Sequence, residues 1–363
     1  MELLLPTKAI LEFAEKVNLS RIFFLLIFTL LAFSTQAQNA FITKWNANRD
    51  RARITINTNT DNGEVYNYTI DWGDGSAPET NQTGDARHTY ANAGTYTVSI
   101  TGDFPRIDGA NSFLLSVEQW GDIAWTSFEN AFRNARNMEI NATDAPVLSG
   151  VTSMENMFQN CTALNADINH WDVSGITNMT GVFSGASSFS LNLTGWNVRS
   201  VTNMSYMFQN TSVFNGDISN WNVSNVTDMT EIFSGTQAFN SDISQWNVSN
   251  VINMFGMFAF TRAFNVDISS WQTGNVTFLA SVFNSAESFN QDISGWDVSK
   301  VTNMSNAFSK ANAFGQDISG WNVGAVTDIS GMFEDNTTFN QDISGWDVSS
   351  VTNMDNMFDG ATA

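Results

Sequence analysis

The chain has 363 residues, 42% hydrophobic and only 14% charged, with 15 Lys and Arg against 36 Asp and Glu for a formal net charge of −21. That apolar fraction supports a packed core and excludes bulk disorder, and the length admits two or three domains. The acidic excess argues against nucleic acid and anionic membrane surfaces, which need clustered Lys and Arg, and one Cys with two His (His88 and His170) excludes a disulfide scaffold and a Cys/His zinc site. Low charge combined with strong acidity requires a surface built from Asn, Ser, Thr and Gly, with Asp supplying the charge.

The first element is an apolar run, Ile22 to Phe33 (IFFLLIFTLLAF), without a charge. A bilayer span needs roughly 20 residues, so this run is too short for one. Arg21 precedes it, and Thr35-Gln36-Ala37 follows with small residues at −3 and −1. Residues 1–37 therefore read as a signal peptide cut after Ala37, and the mature protein as secreted or displayed at the cell surface with no membrane span. A membrane anchor is the alternative. No Cys follows the run, which argues against a lipoprotein anchor.

Residues 39–115 read as an all-β module. Arg53-Ile54-Thr55-Ile56, Tyr66-Asn67-Tyr68-Thr69-Ile70 and Tyr96-Thr97-Val98-Ser99-Ile100 alternate polar with apolar positions, and Gly- and Asn-rich turns separate them. Asp71-Trp72-Gly73-Asp74-Gly75-Ser76, His88-Thr89-Tyr90 and Gly94-Thr95-Tyr96-Thr97-Val98 together resemble the PKD-type immunoglobulin-like sandwich. The resemblance implies that Trp72 and Tyr90 fill the core and that the Gly-Asp-Gly turn needs positive φ. Asp71, Asp74 and Asp85 form a candidate calcium site, since calcium prefers hard oxygen ligands. The alternative is that these aspartates close Asx turns.

From residue 151 the chain repeats every 25 residues without insertion. Trp171, Trp196, Trp221, Trp246, Trp271, Trp296, Trp321 and Trp346 form one column; Phe158 to Phe358 form a second; Leu164 and Phe189 to Phe339 form a third. Trp120, Phe132 and Met138 fit the same columns, so residues 116–150 read as a variant first repeat serving as the N-terminal cap, and 151–363 as a repeat solenoid truncated in its last repeat. In Val226-Thr227-Asp228-Met229-Thr230-Glu231-Ile232-Phe233 the apolar residues fall at i, i+3, i+6 and i+7, which predicts a short helix ending at Ser234-Gly235. Phe239 to Val248 predicts a short parallel strand with a bend. Strands repeating every ~4.8 Å opposite helices spaced about 8–10 Å would curve the array, with the strands on the concave side.

The units V-T-x-M-x-x-M-F-x-x-[ACT]-x-x-F resemble the BspA-like leucine-rich repeat surface proteins, in a variant found in exported proteins of mycoplasmas, Listeria and Bacteroidetes. The resemblance implies a leucine-rich-repeat solenoid and adhesion to an extracellular protein ligand on a host or neighbouring cell. Cys161 falls at that family's Cys column and reads as a small buried residue.

The Asp column, Asp167, Asp217, Asp242, Asp267, Asp292, Asp317 and Asp342, is the one charged ladder. It reads first as a solvated, turn-capping row; calcium bridging and a binding face for basic ligands are the alternatives. The Asn columns (Asn165, Asn215, Asn240, Asn265, Asn290, Asn340; Asn178, Asn203, Asn253, Asn303, Asn353) are expected to satisfy turn backbone groups. The Trp column reads as core, with sugar stacking as the alternative. No nucleophile, acid/base pair or phosphate loop stands apart from the repeat, so the chain is expected not to be an enzyme and to need no cofactor, calcium aside. The leading reading is a non-catalytic binding protein used for protein recognition and adhesion. A carbohydrate-binding accessory protein and a structural stalk are the alternatives.

Overall fold

The computed structural model describes residues 39–363; the predicted signal peptide, residues 1–37, lies outside the described residues. Eight strands are present among the described residues and no helix: β1 (Phe41–Ala47), β2 (Arg53–Ile56), β3 (Asn67–Asp71), β4 (Glu79–Gln82), β5 (Ala86–Thr89), β6 (Gly94–Asp103), β7 (Leu114–Gln119) and β8 (Glu139–Ile140). One sheet runs β4-β3-β6-β1-β7-β8, and a second pairs β2 with β5. Along β1 every second side chain is buried, so Phe41, Thr43, Trp45 and Ala47 point into the core. The buried hydroxyl of Thr43 accepts the indole N–H of Trp45 at 2.8 Å, which satisfies a polar group that the core would otherwise strand. β1 pairs antiparallel with β6, placing Phe41 opposite Ile100 and Trp45 opposite Tyr96.

Trp72 and Tyr90 are buried as expected of a PKD-type core. The Tyr90 hydroxyl donates to the Trp72 carbonyl at 2.9 Å, and His88 stacks on Trp72 with ring centroids 5.1 Å apart. Gly73 and Gly75 adopt φ of 74° and 86°. A Cβ on Gly73 would sit 2.1 Å from the Thr97 carbonyl oxygen, so the turn can pass β6 only with glycine there.

The module does not end at a linker. β7 pairs antiparallel with β1 on one edge and parallel with β8 on the other, and β8 belongs to the first coil of the repeat array. Buried Arg106, which follows β6, lies 3.7 Å from Glu64 and 3.4 Å from Glu129 of that first coil. The sheet and this charged cluster both join the N-terminal module to the array.

The array overturns the leucine-rich-repeat expectation of a helix and a strand in each unit. The segment expected to be helical is a string of β-turns. In the coil that starts at Val151, the amides of Met154, Asn156, Phe158 and Asn160 donate to Asn178, Thr180, Val182 and Ser184 of the next coil at 2.7–3.0 Å. The amides between them, Met157, Gln159 and Cys161, close turns onto residues three back. An α-helix would direct every one of these amides to the residue four back. Positive φ twice per coil prevents that: Asn156 and Asn160 have φ of 54° and 59°, and Gly181 and Gly185 hold the same positions one coil on at 61° and 71°. The left-handed region ends any helical run within three residues.

Parallel pairing does occur, but in the half expected to be helical. Single parallel bridges run Ser153, Asn178, Asn203, Asp228, Asn253, Phe278, Asn303, Asp328, Asn353. The Phe239–Val248 segment, expected to hold the strand, contains turns and no strand.

The core follows from the columns. Coil-to-coil ring centroids lie 5.5–5.9 Å apart along Phe132 to Phe358, and 5.7–6.2 Å apart from Phe189 to Phe339. Trp221 and Trp246, like Trp271 and Trp296, lie 6.2 Å apart. Inside a coil the two Phe columns stack at 3.8–4.3 Å. The columns have near-equal spacing, so the fan that helices would impose has no cause here. Phe132 stacks on Phe158 at 5.8 Å, which places residues 126–138 in the same coil frame although 26 residues separate the two rings.

Candidate functional site

With its apolar columns enclosed, the array offers a ligand the exterior of its coils, which is mostly polar. That exterior consists of side-chain acceptors that cap turns. In the first column Asp167, Asp217, Asp242, Asp267, Asp292, Asp317 and Asp342 are exposed. Each accepts the backbone N–H two residues on, at 2.9–3.0 Å. The amide of the following serine, then its hydroxyl, holds Asp217, Asp242, Asp267, Asp292 and Asp317 below the ordinary carboxylate range; for Asp342 the Ser344 hydroxyl leads. Repulsion from Asp267 and Asp317 opposes this only weakly at Asp292.

Two further columns use the same turn. Asp172, Asn222, Asn247, Asp297 and Asp347 cap Ser174, Ser224, Ser249, Ser299 and Ser349. Asn178, Asn203, Asp228, Asn253, Asn303, Asp328 and Asn353 do the same along the bridge column. Asn165, Asn215, Asn240, Asn265 and Asn290 reach across instead, accepting a backbone N–H of the next coil at 2.8–3.2 Å. The expected Asn ladders thus take both forms, within one coil and between neighbours.

The Trp column faces inward. The indole N–H of Trp196, Trp221, Trp246, Trp271, Trp296, Trp321 and Trp346 donates to a carbonyl 28 residues earlier, at 2.9–3.3 Å. These rings are covered by the neighbouring coils and present no face for a sugar to stack on. Cys161 is buried too, with its thiol donating to the Phe132 carbonyl at 3.1 Å and its acidity suppressed by burial, the pKa pushed up to about 12. A thiol held protonated in a closed core is no nucleophile.

The three aspartates of the calcium reading are divided among separate turns. Asp71 accepts the Gly73 amide at 2.9 Å. Asp74 takes the Ser76 amide and hydroxyl and lies 2.7 Å from His88; the Ser76 hydroxyl and amide, ahead of His88, lower its pKa to about 2. Asp85 takes the Thr58 amide and hydroxyl and pairs with Arg87 at 3.2 Å. Among the described residues no group of three or more His, Cys, Asp and Glu side chains is placed to hold a metal ion.

Sequence reasoning passed over a set of large apolar side chains on the outside of the array. Ile252 stands in the Thr column, Phe278 in the Asn/Asp bridge column, and Phe255 where most coils carry Ser or Thr. Tyr206 and Phe260 occupy the two left-handed positions, at φ of 59° each. The available signal was departure from the repeat itself: these positions differ from their own columns.

Two family models match the chain. One, described as a PKD domain, matches residues 37–103. The other, described as "Mycoplasma protein of unknown function, DUF285", matches residues 126–234, 213–314 and 292–363, so that together the three matches cover the array. Comparison with curated proteins and with solved structures returned no match.

Proposed function

The chain belongs to the family described as "Mycoplasma protein of unknown function, DUF285", with a PKD domain ahead of the repeats, and on that basis we infer that it is an exported, non-catalytic recognition protein whose array binds a protein on a host or neighbouring cell. PKD domains are typical of extracellular proteins, and no helix among the described residues is long and apolar enough to cross a membrane. The sequence resemblance to BspA-like surface proteins supports adhesion as the use of the array.

The observation that carries the reading is the division of labour within each coil. The Trp column is enclosed, as are the Phe columns up to the last coil, where Phe358 is half-exposed; the turn acceptors of the exterior are bound to backbone amides, and the exterior is mostly polar and acidic except where the apolar replacements interrupt it. Such a surface can recognise by shape and charge over a large area, and it lacks the unequal, convergent groups that catalysis requires. Buried Trp rings count against polysaccharide capture, and the irregular apolar positions count against a purely structural stalk.

Beads coated with the protein test the reading. They are expected to adhere to mammalian or bacterial cells, with adhesion lost after protease treatment of the cells and retained after glycosidase treatment. Adhesion abolished by glycosidase alone, or no adhesion, overturns it.

A further inference from the structure

The replacements on the exterior are concentrated on two adjacent coils. Ile252, Phe255 and Phe260 lie on one and Phe278 on the next, with 48%, 38%, 54% and 46% of their surfaces exposed. The backbone ladder sets Phe278 beside Ile252 and the residues that lead to Phe255. Phe278 bridges Asn253 directly, the Met254 amide donates to the Phe278 carbonyl at 3.1 Å, and the Thr277 amide donates to the Ile252 carbonyl at 2.9 Å. Beside Ile252 lies a groove of about 430 Å³ lined by Asn225, Thr227, Asn250, Asn275 and Thr277.

Each replacement departs from what stabilises the fold. Phe278 has no side-chain acceptor for the turn that Asn253 and Asn303 cap on either side of it. Phe260 places a bulky ring at φ 59°, at a position held by glycine or a small or polar residue in the other coils: Gly185, Asn210, Gly235, Ser285, Lys310 and Asp335. Exposed apolar area concentrated on two coils, in a protein whose other coils carry small or polar residues at these positions, marks a binding surface.

The charge around the patch selects the occupant. Asp228 bridges Asn253 from the preceding coil, and the Glu231 amide donates to the Phe255 carbonyl at 2.7 Å. Two basic side chains lie on these two coils: Arg262 is paired with Glu287 at 3.3 Å, and Lys300 donates to the Asn275 side-chain oxygen at 2.8 Å. Residues 138–363 carry four bases against 21 acids, a net −17. A second copy would bring the same charge to the interface and be repelled. We propose that Ile252, Phe255 and Phe278 form a docking surface for a basic polypeptide segment of another protein, its aliphatic or aromatic side chains on the patch and its Lys and Arg toward Asp228 and Glu231. This surface rests on the reading of the chain as a recognition protein and names the partner's chemistry.

The test uses the variant Ile252→Thr, Phe255→Ser, Phe278→Asn, which restores the residues of the other coils and so preserves the fold. The probes are short synthetic peptides alternating Leu and Phe with Lys, and the same peptides with Glu in place of Lys, measured by fluorescence anisotropy at low and physiological salt. The Lys peptide is expected to bind the parent protein saturably and more weakly at higher salt, with at least about tenfold loss in the variant and no binding of the Glu peptide. Equal binding of the Glu peptide, no binding of the Lys peptide, or undiminished binding to the variant overturns the proposal. So does sedimentation showing a parent dimer that the variant loses, because the occupant is then a second copy. Beads carrying the variant separate the two levels: variant beads that adhere as parent beads do reject this surface and leave the recognition reading standing, whereas parent beads that fail to adhere reject the recognition reading itself.

Discussion

Phe278 and Phe283 stand five residues apart in one coil, and their replacement should act in different ways. Phe283 is fully enclosed, with ring centroids 5.6 Å from Phe258, 5.6 Å from Phe308 and 3.9 Å from Phe289. Phe283→Ala removes a ring from the middle of a continuous stack and leaves a cavity that the coils above and below, fixed by their backbone ladder, cannot collapse to fill; the expected cost is about 3–5 kcal/mol. Phe278 is half-exposed, so Phe278→Asn forfeits only part of a side chain's burial, about 1 kcal/mol. It gains a turn-capping acceptor of the kind Asn303 provides to Ser305 at 2.8 Å, a contribution of about 0.5–1.5 kcal/mol. The two effects of Phe278→Asn nearly cancel. Urea unfolding followed by Trp fluorescence should show the midpoint lowered by about 1 M or more in Phe283→Ala and shifted by less than about 0.3 M in Phe278→Asn. Equal losses in the two variants would refute the assignment of inward and outward positions on which the structure of the coil depends.

Trp246→Phe should cost about 1–2 kcal/mol beyond its packing loss, because the Ile218 carbonyl loses its indole donor at 3.2 Å; Trp171→Phe, whose buried indole N–H meets no acceptor, should lack that component, and paired thermal melts of the two variants measure the difference. The lowered acidities of Asp217, Asp242 and Asp267 mean that their contribution to stability is fully present above the ordinary Asp value of about 3.9 and is lost as pH falls through their lowered values. The triple Asp→Asn variant keeps the acceptor atoms, so its melting temperature should drop less between pH 6 and pH 3 than the parent's; superimposable pH profiles would remove the carboxylates from the account. Gly73→Ala forces a Cβ to within 2.1 Å of the Thr97 carbonyl at a φ of 74° and should destabilise by more than about 3 kcal/mol, which the melting temperature reports directly.

The period, the columns and the inward Trp face could be read from the sequence because burial depends on side-chain identity, and identity repeats every 25 residues. The conformation of the coil could not be read from apolar spacing. Val151, Met154, Met157, Phe158 and Cys161 are spaced as a helical stripe would be, yet two consecutive turns bring the same residues to one face. The deciding residues were polar and small: Asn156, Gly181, Gly256, Asn306 and Gly331 at one position, and Asn160, Gly185, Asn210 and Gly235 four further on. Asn and Gly recurring in step, where a helix interior disfavours them, mark left-handed backbone. The PKD module was legible because its motifs are local, whereas β7 was not, since its parallel partner β8 lies some twenty residues on. The apolar patch escaped notice because a consensus reading averages out the positions at which single coils differ.

The register of the backbone ladder constrains how such a protein can change length. Amides of one coil meet carbonyls 24 residues on throughout the regular array and 25 on at its first coil, which absorbs one extra residue outside the ladder; insertion of a whole unit disturbs no column. Length therefore grows most simply in whole coils, each added coil repeating the 5.5–6.2 Å spacing of the stacked rings with its core environment unchanged. Units added between the PKD module and residue 251 would carry the apolar patch outward in those steps and leave its own surroundings intact. Reach and recognition are thus separately adjustable within one chain.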